Sequence, residues 1–203
     1  MRKHTLYLQW TTAILVMLMM LAGCSKNNKS SDNQGKQDIH DSVYVKKGDQ
    51  IVMLTFDTLR SSLQHAISTS NFDGAISFCN ESAFPITTTY ADTFTINRTA
   101  LRVRNPDNQP DSLELAVLIE MGNQVQAAQP PRAKVVRSGN KVHYFKPILL
   151  QAMCLNCHGV PGQDIQDNTL ARIQNLYPSD RAVNFLEGDL RGAWHITFRP
   201  QEK

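Results

Sequence analysis

The feature of this 203-residue chain that most constrains its fold is the segment Cys154-Leu155-Asn156-Cys157-His158. Its C-x-x-C-H spacing is typical of covalent c-type haem attachment. Two residues between the thiols span the distance between two haem vinyl groups, so that each thiol can add across one vinyl as a thioether. The next residue then lies beneath the iron, which makes His158 the predicted proximal ligand. We therefore expect the chain to fold around one covalently bound haem c.

Other chemistry can use the same pair of cysteines. A bare C-x-x-C fits thioredoxin-like redox chemistry or half of a zinc site, and a plain disulfide between Cys154 and Cys157 is a third alternative. A zinc site needs a second pair of ligands at motif spacing, and the sequence shows none. The adjoining His158 favours haem over these alternatives.

The N-terminus predicts export. Arg2 and Lys3 precede a short apolar run over residues 6–21, and small residues follow it. This arrangement is typical of a secretory signal peptide, here residues 1–23. The run is short for a membrane span and polar at its start, although an uncleaved signal anchor remains the alternative. Export also favours haem, because c-type haem is attached outside the bacterial cytoplasm.

The quartet Leu21-Ala22-Gly23-Cys24 resembles a bacterial lipobox. In such lipoproteins the cysteine is acylated and becomes the first residue, so Cys24 is the predicted lipidation site. Several acyl chains on one residue hold a domain durably at a bilayer. Ser25, rather than Asp, follows the cysteine, which by analogy indicates the outer membrane more than the inner. We expect a periplasm-facing or cell-surface lipoprotein whose contact with the membrane is its lipid anchor.

Composition separates the rest of the chain into two parts. Residues 24–42 are rich in Ser, Asn, Lys and Asp, which predicts a flexible polar tether. Residues 43–203 are expected to form a single haem domain without internal repeats. The chain has 21 Lys and Arg against 18 Asp and Glu. Losing Arg2 and Lys3 with the signal peptide leaves 19 against 18, so nothing in the charge indicates a nucleic-acid partner.

Periodicity within the domain predicts an α+β fold with an antiparallel sheet. Helical spacing or capping residues occur in five segments, near residues 51–68, 71–84, 111–129, 149–157 and 169–176. The second of these helices is expected to stop at Pro85. Strand patterns occur in four segments, at residues 93–104, 133–137, 141–145 and 193–198. The turn Ser138-Gly139-Asn140 joins two of these strands as a hairpin.

One cysteine is left over. If Cys24 carries lipid and Cys154 and Cys157 carry haem, Cys79 is an unpaired thiol in an exported protein. It can be a small buried hydrophobe on its helix, which the residues alone favour. It can also be the second axial ligand of the iron, whose thiolate would lower the reduction potential. Five other side chains are rival distal ligands, among which His195 is the strongest: His143, His195, Met53, Met121 and Met153.

Three arginines are candidate contacts of the haem propionates. Arg98, Arg102 and Arg104 have even spacing on a predicted strand, so all three can face the same side. Arginine pairs with carboxylates through two parallel hydrogen bonds. The alternative is a solvated strand face that buries only the alkyl stems.

The ordered set of motifs over roughly residues 72–194 resembles a family of bacterial single-haem c-type sensor domains. The resemblance implies a PAS-like antiparallel sheet flanked by helices and an iron bound by Cys and His, with Cys79 at the position of the thiolate ligand. The family's Arg-Arg pair is Asn97-Arg98 here. The matching segments are Ala75-Ile76-Ser77-Phe78-Cys79, residues 98–106, Asn108, Pro110, Tyr144-Phe145-Lys146-Pro147-Ile148, residues 154–159, Tyr177-Pro178-Ser179-Asp180 and residues 187–193.

These features predict an exported, lipid-anchored, monohaem c-type cytochrome domain that acts as a redox or small-ligand sensor. The alternative is a one-electron carrier. Either function needs a redox or signalling protein as partner, because the sequence shows no signalling module of its own. Catalysis is not expected, since two protein ligands would fill both axial positions and no acid–base group adjoins the motif.

Overall fold

The computed structural model describes residues 28–90 and 92–199. The signal peptide expected over residues 1–23 and the lipidation site Cys24 therefore lie outside the described residues. In the described part, no helix combines the length and the apolar character that a bilayer span requires. The chain separates into two compact units between His40 and Asp41, and the sheet belongs to the second unit.

The first helix, α1, spans Asn28–Phe78. Residues 28–42 of the expected tether are thus helical, as a continuation of the helix predicted from residue 51 onward. Elongating an existing helix fixes one residue for each hydrogen bond gained, which is far easier than nucleating a new one. Ser70 and Asn71 interrupt α1, and Asn71 has a φ of +56°. The helix therefore has two parts, before and after this break.

The chain after α1 stays helical past the proline that was expected to stop it. Cys79–Ala83 forms a π-helical turn, and the short helix α2 follows over Phe84–Thr87. Pro85 lies in the first turn of α2. A proline is tolerated in the first turn of a helix, where its fixed φ suits the helical backbone.

Five antiparallel strands form one sheet in the order β1-β2-β5-β4-β3. The predicted α+β fold with an antiparallel sheet flanked by helices is confirmed. The strand predicted over residues 93–104 is shorter than expected, because β2 ends at Thr99 and a loop follows. The predicted hairpin turn at Gly139 joins two strands, with a φ of +58°. The strands are β1 (Thr89–Tyr90), β2 (Phe94–Thr99), β3 (Lys134–Ser138), β4 (Lys141–Leu149) and β5 (Leu190–Phe198).

Residues 44–52 of α1 pack on one face of the sheet, which we call the α1 face. Val52 is buried there against Tyr144, Trp194 and Ile196. A side chain at Gly48 would place its Cβ 2.3 Å from the Tyr144 ring. Glycine at this position therefore allows α1 to approach the sheet closely.

Helix α3 (Ser112–Gln126) covers the opposite face, which we call the α3 face. It begins at the predicted capping box, in which Asp111 and Glu114 each accept a hydrogen bond from the other's backbone N–H. Its apolar side packs Val117, Leu118 and Met121 against strand residues that include Phe145. The two faces of the sheet thus carry separate apolar cores.

The remaining helical segments include the C-x-x-C-H segment itself. They are two 3-10 turns, Pro106–Asn108 and Ala152–Cys154, and the helices α4 (Leu155–His158) and α5 (Asp167–Leu176). Ile76, in the part of α1 after the break, is buried against Ile165, Ile173 and Tyr177. Residues 44–52 of α1 therefore pack against the sheet, whereas Ile76 packs beside α5.

Candidate functional site

The C-x-x-C-H segment forms a short helical turn. Cys154 ends a 3-10 turn and α4 follows at once over Leu155–His158. Residues three apart in a helix share one side, so the two thiols of the motif lie on the same side. The three cysteines among the described residues, Cys79, Cys154 and Cys157, are free thiols. The alternative of a disulfide between Cys154 and Cys157 is therefore not formed in this structure.

The described residues also contain no group of three or more His, Cys, Asp or Glu side chains placed to hold a metal ion. A zinc site needs four ligands, of which the pair Cys154 and Cys157 could supply two. In the described part of the chain, these thiols thus lack the further ligands of a zinc site.

His158 is oriented by a backbone carbonyl. Its Nδ1 lies 2.7 Å from the oxygen of Ala182. Because a carbonyl only accepts, Nδ1 must carry the hydrogen, which leaves Nε2 of the neutral ring free to bind a metal. Burial lowers the pKa of His158 well below its usual value, and the positive charges of Arg191 and Arg104 lower it further. The ring is therefore neutral at physiological pH, as metal ligation requires.

Arg104 connects the C-x-x-C-H segment to the loop that contains Ala182. Its guanidinium donates to the carbonyl of Cys157 at 2.7 Å and to the carbonyl of Ala182 at 3.3 Å. It also forms a salt bridge of 3.0 Å with Asp180, in which both side chains are less than a tenth exposed. One buried cation thus fixes both the motif and the carbonyl that orients His158.

Cys79 lies at the first position of the π-helical turn that follows α1. The preceding helical turn is fastened to α5, because Asp73 accepts from the hydroxyl of Thr169 at 3.0 Å and Ser77 accepts from Arg172 at 2.8 Å. Ile76 packs in the same cluster as Cys157. The structure therefore brings Cys79 to the C-x-x-C-H segment, although 75 positions of sequence separate Cys79 from Cys154.

The electrostatics of the thiols reflect this proximity. Burial raises the pKa of Cys157 to about 11, with the charge of Arg104 acting against the shift and that of Cys79 adding to it. Burial also raises the pKa of Cys79, while the positive charges of Arg98 and Arg104 lower it. Without an electrophile or a metal, these thiols stay protonated at neutral pH.

Arginines surround this group of thiols and imidazole. Burial lowers the pKa of Arg191 to about 9, and the neighbouring charges of Arg104 and Arg98 lower it further. Burial likewise lowers the pKa of Arg98. Asp180 is the one carboxylate that forms a salt bridge with this cluster in the described part of the chain. The site therefore carries an excess of buried positive charge.

Two buried atoms of the cluster have no hydrogen-bond partner, the Nε atoms of Arg98 and Arg104. Buried polar atoms are rarely left unpaired in folded proteins, so these donors indicate an anionic group. The residues fit a c-type haem: the thiols could form thioethers, His158 could bind iron, and the arginines could pair with two propionates.

Arg102 has a different position from the one its spacing predicted. Because β2 ends at Thr99, the even spacing of Arg98, Arg102 and Arg104 does not lie on one strand. The Arg102 guanidinium donates to the carbonyls of Arg181, at 3.1 Å, and Val183. Its guanidinium also lies 3.9 Å from the centre of the Phe185 ring. Arg102 therefore braces the loop beside the motif.

The five rival distal ligands lie on the α3 face of the sheet or are exposed to solvent. His195 and His143 bond to each other at 2.9 Å on the α3 face, whereas Arg98 lies on the α1 face opposite Trp194. Met121 is buried under α3. The last two methionines, Met53 on α1 and Met153 beside the motif, are exposed.

Sequence reasoning missed two charged members of the site, Arg191 and Asp180. Both lie in segments that carried the family resemblance, but no local spacing marks either as a site residue. Arg191 is placed by β5, and Asp180 by its salt bridge to Arg104. Their roles depend on contacts between positions far apart in the chain.

Comparison with known proteins places the chain in a family. A family model described as Tll0287-like matches residues 41–199. A similar solved structure is the crystal structure of the cyanobacterial heme-protein Tll0287, with a TM-score of 0.51 and 26% sequence identity. The match covers 77% of this chain and 97% of that one. No curated protein matches the chain. Because the family model covers most of the sequence, in agreement with the motif resemblance, this chain belongs to the Tll0287-like family.

Proposed function

We propose that the chain is an exported, lipid-anchored domain that binds one covalent haem c and senses redox state or a small ligand of the iron. The observation that carries the proposal is His158. Its neutral imidazole, held through Nδ1 by the Ala182 carbonyl at 2.7 Å, directly follows two free thiols at haem-attachment spacing. The similarity to a cyanobacterial heme-protein supports the same cofactor.

Each residue of the site has a role in this proposal. Cys154 and Cys157 would carry the thioethers, and His158 and Cys79 would bind the iron. Arg98 and Arg104, whose Nε atoms are buried without a partner, pair with the propionates, and Arg191 adds to their positive field. The haem supplies a one-electron iron couple when bound.

The difference between the firmly held His158 and the π-helical turn that carries Cys79 favours a sensor. His158 is fixed by the Ala182 carbonyl, and Arg104 in turn holds that carbonyl and the one of Cys157. Cys79 begins a π-helical turn, a form of helix that is rare and is frequently found at functional sites. Release of the Cys79 thiolate would therefore move the turn that carries it, while His158 stays in place.

The domain would catalyse no reaction of its own, because Cys79 and His158 together would leave the iron no open position for a substrate. Its output would instead pass to a redox or signalling protein. A nearly balanced charge, with 21 basic against 18 acidic residues, gives no reason to expect nucleic acid as the partner.

The first test is the state of the cofactor in protein purified from cells with a working c-haem assembly system. Because thioethers survive denaturation, haem is expected to stay with the polypeptide through acidic extraction, and the mass should exceed that of the apoprotein by one haem. The ferric and ferrous spectra should differ in axial ligand class if the domain is a sensor that loses Cys79 on reduction. An electron carrier would keep one ligand set in both states. An apoprotein mass would exclude the proposal.

The second test concerns the anchor. Cys24→Ser is expected to abolish lipidation and to shift the folded domain almost entirely from the membrane fraction to the soluble periplasmic fraction, because the acyl chains hold it at the bilayer. Fractionation with detection of covalent haem measures this shift. Ser25→Ala is the matched control and should leave the protein in membranes. Retention of the Cys24→Ser protein in membranes would contradict the lipid anchor.

A further inference from the structure

A buried carboxylate begins a chain of hydrogen bonds on the α3 face of the sheet. Glu114 accepts from Nδ1 of His195 at 2.6 Å and from the amide of Asn97 at 3.0 Å. It also accepts from the backbone N–H of Asp111 at 3.0 Å. These donors, despite the burial of the group, lower the pKa of Glu114 to about 2. The carboxylate is therefore charged at neutral pH, and His195 Nδ1 is the donor to it.

The chain continues toward the surface through a second histidine. Nε2 of His195 lies 2.9 Å from Nδ1 of His143. The hydroxyl of Thr197 lies 3.2 Å from the former nitrogen and 3.3 Å from the latter. His195 is 5% exposed, whereas His143 is half-buried. The path thus leads from the interior to the edge of solvent, and it joins α3 to β4 and β5.

Only one hydrogen can lie between the two facing nitrogens of His195 and His143. With neutral rings, His143 donates it and His195 accepts. One added proton reverses this bond without breaking it: the shared hydrogen moves to Nε2 of His195 while the added proton binds Nε2 of His143. Protonated His195 then donates to both Glu114 and neutral His143. A second added proton leaves two N–H groups facing each other across 2.9 Å, on adjacent positive charges.

We propose that Glu114, His195 and His143 form a proton-operated latch that holds the N-terminal end of α3 on the sheet. The latch stays closed with no added proton or with one, and it opens when both imidazoles are protonated. Opening frees the start of α3, where Glu114 and Asp111 form the capping box. The latch lies on the α3 face of the sheet, whereas Arg98 of the cysteine site lies on the α1 face.

The charges around His143 set the direction of the pH dependence. Burial lowers the pKa of His143 below its ordinary value of 6.5, and the charge of His195 on β5 lowers it further. Asp111 and Glu114 on α3 raise it, Lys141 on β4 lowers it, and β2 presents the uncharged Asn97. The opened state therefore binds more protons than the closed state below about pH 6.5. Its population rises as the pH falls, by at most about tenfold per pH unit for one proton.

Hydrogen exchange of the purified full-length protein tests the latch. Between about pH 7.5 and 5, with rates corrected for intrinsic exchange, amides near the start of α3 should lose protection below about pH 6.5, by up to about tenfold per pH unit. Amides of β5 should keep theirs. His143→Gln, which cannot take up a proton, is expected to flatten this dependence. The exposed His65 on α1 offers a matched control, because His65→Gln should retain the full dependence.

Two results would overturn the latch. One is a loss of α3 protection in His143→Gln as steep as in the parent protein, and the other is unchanged protection of α3 in the parent over the whole range. If His143→Gln does not fold, an NMR titration of the parent protein decides the question. His143 should then titrate below 6.5, and titration at or above this value would contradict the latch.

Discussion

Cys79→Ala is expected to remove the thiolate character of the ferric haem spectrum and to raise the reduction potential. The reason is that a thiolate places negative charge on the iron and stabilises the ferric state. The rise should reach about a tenth or more of the ~0.8 V range that axial ligands span. Absorption spectra and potentiometric titration of the purified protein measure both effects. Imidazole added to the variant should occupy the position that Cys79 leaves.

Ser77→Ala is the matched control for this variant. Ser77 lies in the last turn of α1, two residues before Cys79, and its hydroxyl accepts from Arg172 at 2.8 Å, but it has no thiol. The control should retain the parent spectrum and potential. If Cys79 is only a small buried side chain, its replacement by Ala should cost a little stability and leave the spectrum intact. An unchanged spectrum with haem still bound would therefore remove the ligand assignment and the sensor built on it.

Arg104→Met is expected to lower the free energy of unfolding by about 3–5 kcal/mol. The substitution leaves Asp180, whose side chain is 8% exposed, as a buried charge without its cation. It also removes the donors to the carbonyls of Cys157 and Ala182, so the orientation of His158 should weaken. Denaturation in urea measures the loss. Asp180→Asn in the same background should recover part of it, because the unpaired charge is then gone.

Lys134→Met is the control for Arg104→Met. Its salt bridge with Glu120 is exposed to solvent, and exposed pairs contribute about 0–1 kcal/mol. A loss in Arg104→Met no larger than in Lys134→Met would show that Arg104 does not hold the site together. The comparison separates a buried cation from an ordinary surface charge.

Much of the fold and the centre of the site could be predicted from local sequence patterns. The capping box at Asp111 and Glu114 and the turn at Gly139 could be predicted because each depends on residues within a few positions. The same holds for the spacing of the C-x-x-C-H segment. The even spacing of Arg98, Arg102 and Arg104 wrongly predicted that all three lie on one strand, because no local signal shows that β2 ends at Thr99.

Features that depend on strand pairing could not be found in this way. The sequence indicates His143 and His195 only as separate candidate distal ligands. The antiparallel register of β4 and β5, in which His143 pairs with Thr197 and Phe145 with His195, brings the two imidazoles together. The positions of Arg191 and Asp180 beside Arg104 likewise follow from contacts across the fold. Contacts between residues so far apart in the chain cannot be predicted from their spacing.

The central position of β5 has a consequence for the order in which the molecule can form. β2 and β4 make no direct pair, and each bonds to β5 instead. The two halves of the sheet therefore cannot join until Leu190–Phe198 has been synthesised and is free to pair. Cys154 and Cys157 precede β5 in the chain, so both thiols become available while the sheet is still open. For the covalent haem attachment proposed above, this topology would leave the thiols accessible before folding buries them.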